Sequence, residues 1–219
     1  MNLIFKYKVQ MEYDNLQRGI DSINHKRKYS NIVQKMVNNG VDLNNKKQVI
    51  DFFGNLLNKQ NVDTSKKMRK ISKHWNLVSK DVESRLNKLF GEKINLGKIT
   101  AYGSLNSRCG YNIIKKYFYV YIFGKNPNIA LIHELLHFYT HKIVLKQFIK
   151  NKISKEDFND FKEALTFLIN TDFADLVPGS FDTGYPKQKK LRDYLISKWP
   201  DCKDVRNLAN LTIKNYFKA

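Results

Sequence analysis

Between Asn126 and His141 the chain reads Asn-Pro-Asn-Ile-Ala-Leu-Ile-His-Glu-Leu-Leu-His-Phe-Tyr-Thr-His, and this stretch limits the rest of the molecule more than any other. Asn126 is a good N-cap and Pro127 suits the first helical position, so a helix starts here. Apart from its histidines and Glu134 the helix is largely apolar. Three of the five histidines in the chain nevertheless sit within nine residues of it, His133 to His141. Polar rings are costly to bury without partners, so the pattern calls for a ligand or a dedicated set of contacts. At 3.6 residues per turn His133 and His137 differ by about 40° and ~6 Å of rise, and both imidazoles can reach one ion from one face. Glu134 stands beside the first of them without being forced onto the ion. There it can take a proton from a water activated by a zinc ion and later return it to a leaving amine. The competing reading is an ordinary core helix whose histidines only satisfy hydrogen bonds.

A catalytic zinc ion takes three protein ligands and a water, so a third donor must come from elsewhere. Only two glutamates follow the motif, Glu156 and Glu163. Both fall on a second expected helix, Lys155 to Asn170, opened by Ser154 and Asp157 in a capping-box arrangement. A carboxylate in a first turn is explained by the helix dipole, which accounts for Glu156 and leaves Glu163 as the expected ligand. One feature opposes it: helical phase sets Glu163 off the stripe of Phe158, Phe161, Leu165 and Leu168, on a face shared with Phe167, so both faces would have to be covered. Asp160 and His141 stay open as substitutes. His141 lies about 12 Å of rise from His133, too far for three histidines of one straight helix to close on one ion, and reads as a supporting or structural residue.

The stretch from Ile129 to Phe167, with two histidines on one helix and a glutamate on the next, resembles a gluzincin-type metallopeptidase core of the HExxH zincins. His133-Glu134-Leu135-Leu136-His137 with His141 is similar to the ImmA/IrrE family of intracellular metallopeptidases. The resemblance covers about a fifth of the chain, and Glu163-Ala164-Leu165-Thr166 departs from that family's run after its third ligand. It implies a compact helical scaffold around a small sheet, zinc as cofactor, and proteolysis of a protein or peptide substrate lying extended along the strand Lys116 to Phe123. Zinc held by His133, His137 and Glu163 would polarise a scissile carbonyl, with Glu134 as general base and then acid. A developing oxyanion needs one more donor. Tyr185, in the turn Phe181-Asp182-Thr183-Gly184-Tyr185-Pro186, is the candidate, although a turn tyrosine more often packs than reacts. Arg192 lies on the helix that follows.

Around this centre the first 95 residues carry helical spacing, as in Asn31 to Val37, Gln48 to Leu57 and Leu77 to Phe90, and little strand signal. After Glu92 the composition shifts. Gly97 to Gly103 and Lys116 to Phe123 are rich in β-branched and aromatic residues and read as a β-hairpin or as neighbouring strands, the second apolar on both faces. The expected class is α+β, mainly helical: residues 1–95 form a helical N-terminal region, and 96–219 a zincin-like core in which a small sheet packs on the active-site helix beside a second, ligand-bearing helix.

The formal charge of +19 creates an attractive field for acidic protein or nucleic acid. It arises from 32 lysines and 7 arginines spread along the chain, the spread expected of compositional bias. The densest basic stretch, Lys66-Lys67-Met68-Arg69-Lys70, reads as a solvated helix face. No run reaches the ~20 apolar residues of a membrane span, and the opening lacks the apolar segment of a secretory signal, so the expected location is the cytoplasm. Cys109 and Cys202 make neither a disulfide framework nor a thiolate zinc site. The alternative function is a basic helical module that binds nucleic acid or a regulator and keeps the His-Glu-Leu-Leu-His helix for structure.

Overall fold

A computed structural model describes residues 1–23 and 30–218. Helices dominate and the strands form one four-stranded mixed sheet, so the class is α+β and mainly helical. The chain gathers into two compact units, one of Asn2–Asn76 with Gly97–Pro127 and one of Met1, Leu77–Leu96 and Asn128–Ala219.

The first unit holds β1 (Asn2–Lys6), α1 (Val9–Ile23), α2 (Asn31–Asn38), α3 (Lys46–Lys59), the start of α4 (Thr64–Leu89), β2 (Lys98–Ser104), β3 (Tyr111–Asn112) and β4 (Tyr117–Tyr121). The strand order is β1-β2-β4-β3. The two strand-rich segments of the sequence are neighbours, but they run parallel, with Thr100 opposite Tyr117, and do not form a hairpin. The intervening residues 105–116 are long enough to carry the chain back across the sheet and to add β3 antiparallel to β4. β4 is buried on both faces, as its pattern indicates. β1 pairs parallel with β2, Leu3 opposite Ile99, in a region whose sequence reads as helical. Five residues are too few for periodicity to separate strand from helix.

α1 ties the β2–β3 connection down through buried polar groups. The Glu12 carboxylate accepts hydrogen bonds from the Tyr7 hydroxyl at 3.1 Å, the Ser104 hydroxyl at 2.7 Å and the Leu105 N–H at 2.7 Å. Asn15 Nδ2 donates to Ser104 Oγ at 2.9 Å and to the Arg108 carbonyl at 3.0 Å. Burial pushes the Glu12 pKa up to about 7, outweighing the three hydrogen bonds that favour its charge.

The second unit contains the end of α4, then α5 (Pro127–Ile143), α6 (Leu145–Lys150), α7 (Lys155–Ala164), α8 (Leu168–Asp172), α9 (Lys189–Cys202) and α10 (Val205–Thr212). α5 begins at Pro127, as its sequence indicates, and buries Leu131, Ile132, Leu135 and Leu136 completely. Each such side chain contributes about 1.5–3 kcal/mol. The end of α4 lies against α5, with the Phe90 and Tyr139 rings 5.3 Å apart and the Tyr139 hydroxyl donating to Asn87 Oδ1 at 3.1 Å. Ser154 caps α7 by accepting the Asp157 N–H at 3.0 Å. α7 packs on α9 and tightens into a 3₁₀ turn at Leu165–Phe167 before α8. Phe158, Phe161, Leu165, Phe167 and Leu168 are all buried, so both faces of this segment are covered. Among the described residues no helix is long and apolar enough to cross a membrane.

Candidate metal centre

Three elements of the helical unit supply the site: α5, α7 and the turn before α9. On α5 the i, i+4 spacing sets the His133 and His137 rings 4.5 Å apart and nearly perpendicular. The last turn of α7 carries Glu163 to them. Its Oε2 lies 3.6 Å from His133 Nε2 and its Oε1 3.4 Å from His137 Nε2. One donor atom from each of the three residues lies within 4.8 Å of the other two. A tetrahedral zinc ion with bonds near 2.05 Å has ligand–ligand edges of about 3.3 Å, and the two carboxylate-to-imidazole separations, one to each oxygen of Glu163, are close to that length.

Among the described residues, only this group of histidine, cysteine, aspartate or glutamate side chains converges in that way. The other candidates for a third ligand are engaged elsewhere. Glu156 pairs with Lys187 at 2.6 Å and is exposed, Asp160 accepts from Gln188 at 2.7 Å and faces Lys187 at 3.3 Å, and the His141 ring lies edge-on to Phe158. The unfavourable phase of Glu163 is resolved by packing: the Phe148 ring of α6 lies 5.3 Å from Phe158 and 5.0 Å from Phe161, α9 packs on the same helix, and Glu163 reaches the histidines of α5.

Asp182 completes the geometry. Its Oδ2 is 3.1 Å from His133 Nδ1, so a proton on Nδ1 is held there and Nε2 is the nitrogen that faces Glu163. Asp182 is itself fixed from several sides. Oδ1 takes the Thr166 hydroxyl, the Gly184 N–H and the Arg192 guanidinium, each at 3.0 Å. Asn170 clamps its backbone at both N–H and carbonyl, at 2.8 Å each. Gly184 has φ +64°, and a Cβ there would come within 3.0 Å of the Arg192 side chain, so the turn admits glycine for two reasons at once. Arg192, buried on α9, also donates to Thr166 Oγ1 at 3.0 Å.

The charges are uneven. Burial disfavours a charged His133, but its hydrogen bonds to Asp182 and Glu163 and the nearby carboxylates carry its pKa up to about 10. Burial and the Lys162 ammonium push His137 down to about 3. Burial also opposes the charge on Glu163, yet His137 and His133 hold its carboxyl below the usual range. Asp182 behaves alike: burial works against its charge and the His133 hydrogen bond, followed by the His133 and Arg192 charges, prevails. Glu134 is buried with Oε2 accepting no hydrogen bond among the described residues, and burial lifts its pKa to about 7. A buried carboxylate oxygen without a donor is costly in a native structure, which sets Glu134 apart from the other acids of the site. Lys162, also buried, pairs with Glu163 Oε1.

Tyr185 stands three residues after Asp182 in extended conformation, 43% exposed, at the start of the 3₁₀ turn Pro186–Gln188. Asp182, Lys162 and Thr166 are not singled out by any spacing in the sequence. For Asp182 the available signal was a carboxylate inside an Asp-Thr-Gly turn. Lys162 offered only its adjacency to Glu163. No protein-family model, curated protein or solved structure matches the chain.

Proposed function

We propose that this chain is a zinc-dependent hydrolase, most specifically a metallopeptidase of the HExxH type acting on a protein or peptide in the cytoplasm. One observation supports the reading: His133, His137 and Glu163 bring one donor atom each within 4.8 Å of one another, beside a buried Glu134 carboxylate that has an oxygen to spare. Zinc, when bound by those three residues, supplies the Lewis acid that activates water and polarises the scissile carbonyl. Asp182 holds the His133 ring in the tautomer that presents Nε2. Glu134 takes the proton of the attacking water and passes it to the leaving nitrogen. Tyr185 is the proposed donor to the oxyanion. Acidic segments of a protein substrate, or nucleic acid, are the partners that the +19 charge would attract.

The competing reading is a metal-free polar cluster, and the Lys162 ammonium on Glu163 is the observation that favours it. Zinc content decides between them. The purified protein should hold about one zinc per chain, lost in His133→Ala and in His137→Ala. Glu134→Gln should keep the metal while cleaving a quenched peptide library about 10²- to 10⁴-fold more slowly. Zinc content unchanged in both histidine variants would end the zincin reading, and full activity in Glu134→Gln would remove Glu134 as the base.

A further inference from the structure

β1 lies at one end of the sheet and, among the described residues, pairs with β2 alone. The direction of its free amides follows from the ladder. Thr100 in β2 sends its N–H to the Lys116 carbonyl at 3.0 Å and so bonds toward β4. Ile99 and Ala101, one residue either side, therefore bond toward β1. In a parallel ladder the residue opposite a bonded one turns its own N–H and C=O away. Leu3 and Phe5, opposite Ile99 and Ala101, thus direct their peptide groups to the open edge. Neither residue has another hydrogen-bond partner among the described residues.

This edge is one wall of a groove of about 570 Å³, and the first turns of α4 are the other. Ser65, Met68, Arg69 and Ser72 face it from one side of that helix. Gly103 fixes the helix in place. A Cβ at that position of β2 would lie 2.5 Å from the Met68 sulfur and 3.3 Å from the Tyr7 ring, so the missing side chain lets Met68 seat on the sheet next to β1. Among the described residues the lining carries two cations, Lys6 and Arg69, and no carboxylate. The nearest anion to Arg69 is Asp63 at 4.0 Å, with both side chains mostly exposed.

We infer that the groove between the free edge of β1 and the start of α4 is a docking site for an extended acidic segment of a partner protein, which adds to the sheet as a fifth strand. Unpaired peptide groups on alternate residues recognise a polypeptide backbone, and the flanking helix offers contacts to its side chains. The five residues of β1 give an edge about 16 Å long, enough for a segment of similar length. Charge selects the occupant. A second copy of this chain would bring Lys6 and Lys8 against Lys6 and Arg69 on a molecule already at +19, whereas Asp or Glu side chains would meet both cations. Nucleic acid matches the charge but has no strand edge to offer Leu3 and Phe5. The inference is independent of whether the histidine cluster holds a metal.

The test is fluorescence anisotropy of the full-length protein with a labelled seven-residue peptide that alternates Glu and Val, read beside amide hydrogen exchange. The acidic peptide should bind and slow exchange at Leu3 and Phe5. N-methylation of its alternate peptide bonds should weaken binding at least about tenfold, and so should the double substitution Lys6→Glu with Arg69→Glu, both at exposed positions. A Lys–Val counterpart should not bind. The inference is overturned by absence of binding, by binding that survives N-methylation or charge reversal, by protection that falls elsewhere than β1, or by a single-stranded oligothymidylate that protects the same amides.

Discussion

Asp182→Asn changes one atom of the candidate centre and hardly any volume, so its effect can be worked out bond by bond. Oδ1 of the aspartate takes three donors, Thr166, Gly184 and Arg192, and an asparagine must keep its carbonyl oxygen there to satisfy them. Its amide nitrogen then occupies the position of Oδ2, 3.1 Å from His133 Nδ1, and donates. The ring can accept that bond only by moving its proton to Nε2, the nitrogen that faces Glu163. Binding zinc through Nε2 requires the proton back on Nδ1, where it meets an N–H. The loss is one hydrogen bond to a charged group, about 1.5–3 kcal/mol, or roughly ten- to a hundredfold in zinc affinity. Competition against a chromophoric chelator at fixed pH measures it, with circular dichroism establishing that the variant is folded. Asp160→Asn is the control, since that carboxylate serves Gln188 and Lys187 and should leave zinc affinity unchanged. A folded Asp182→Asn protein that binds zinc within about twofold of the parent would refute the idea that Asp182 sets the His133 tautomer.

In a parallel zinc titration, Glu163→Ala should lose the metal while Glu156→Ala, Asp160→Ala and His141→Ala retain it; retention by Glu163→Ala would move the third ligand elsewhere. Glu12 gives a pH prediction for the other unit. Its folded pKa is raised from 4.5 to about 7, so the folded state holds the proton more tightly, and stability present below pH 4.5 is lost as pH rises through 7, by about 3 kcal/mol in all. Glu12→Gln cannot titrate, so the difference in urea stability between parent and variant should shift by that amount between pH 4.5 and 8; a difference independent of pH would contradict the raised pKa. Ser154→Ala removes the cap of α7 and should cost about 1 kcal/mol in urea unfolding with zinc content intact. An unchanged unfolding midpoint would mean that the cap does not stabilise the helix carrying Glu163.

What could be read from the sequence was set by how local each determinant is. The α5 helix and the pairing of His133 with His137 depend on four-residue spacing and on Pro127, all within one element, and α7 is announced by its own cap at Ser154. Elimination reaches Glu163, but its phase argues against it because one helix read alone has a single core face. α7 buries both, and its change to 3₁₀ geometry at Leu165 brings Phe167 inside with the rest. Asp182 was not legible for the opposite reason. Its position is created by Asn170 and Arg192, from two other elements, and a clamp on one peptide unit leaves no periodic trace. β1 was lost similarly, since its partner β2 begins at Lys98 and a strand of five residues has no signature until that partner is known. The same non-local pairing decided parallel over hairpin for β2 and β4, where the residues fitted either direction and only the path of residues 105–116, held by Asn15 of α1, chose between them. Residues that bear chemistry by spacing therefore stood out, while those that act by orienting them, Asp182 foremost, needed the tertiary structure.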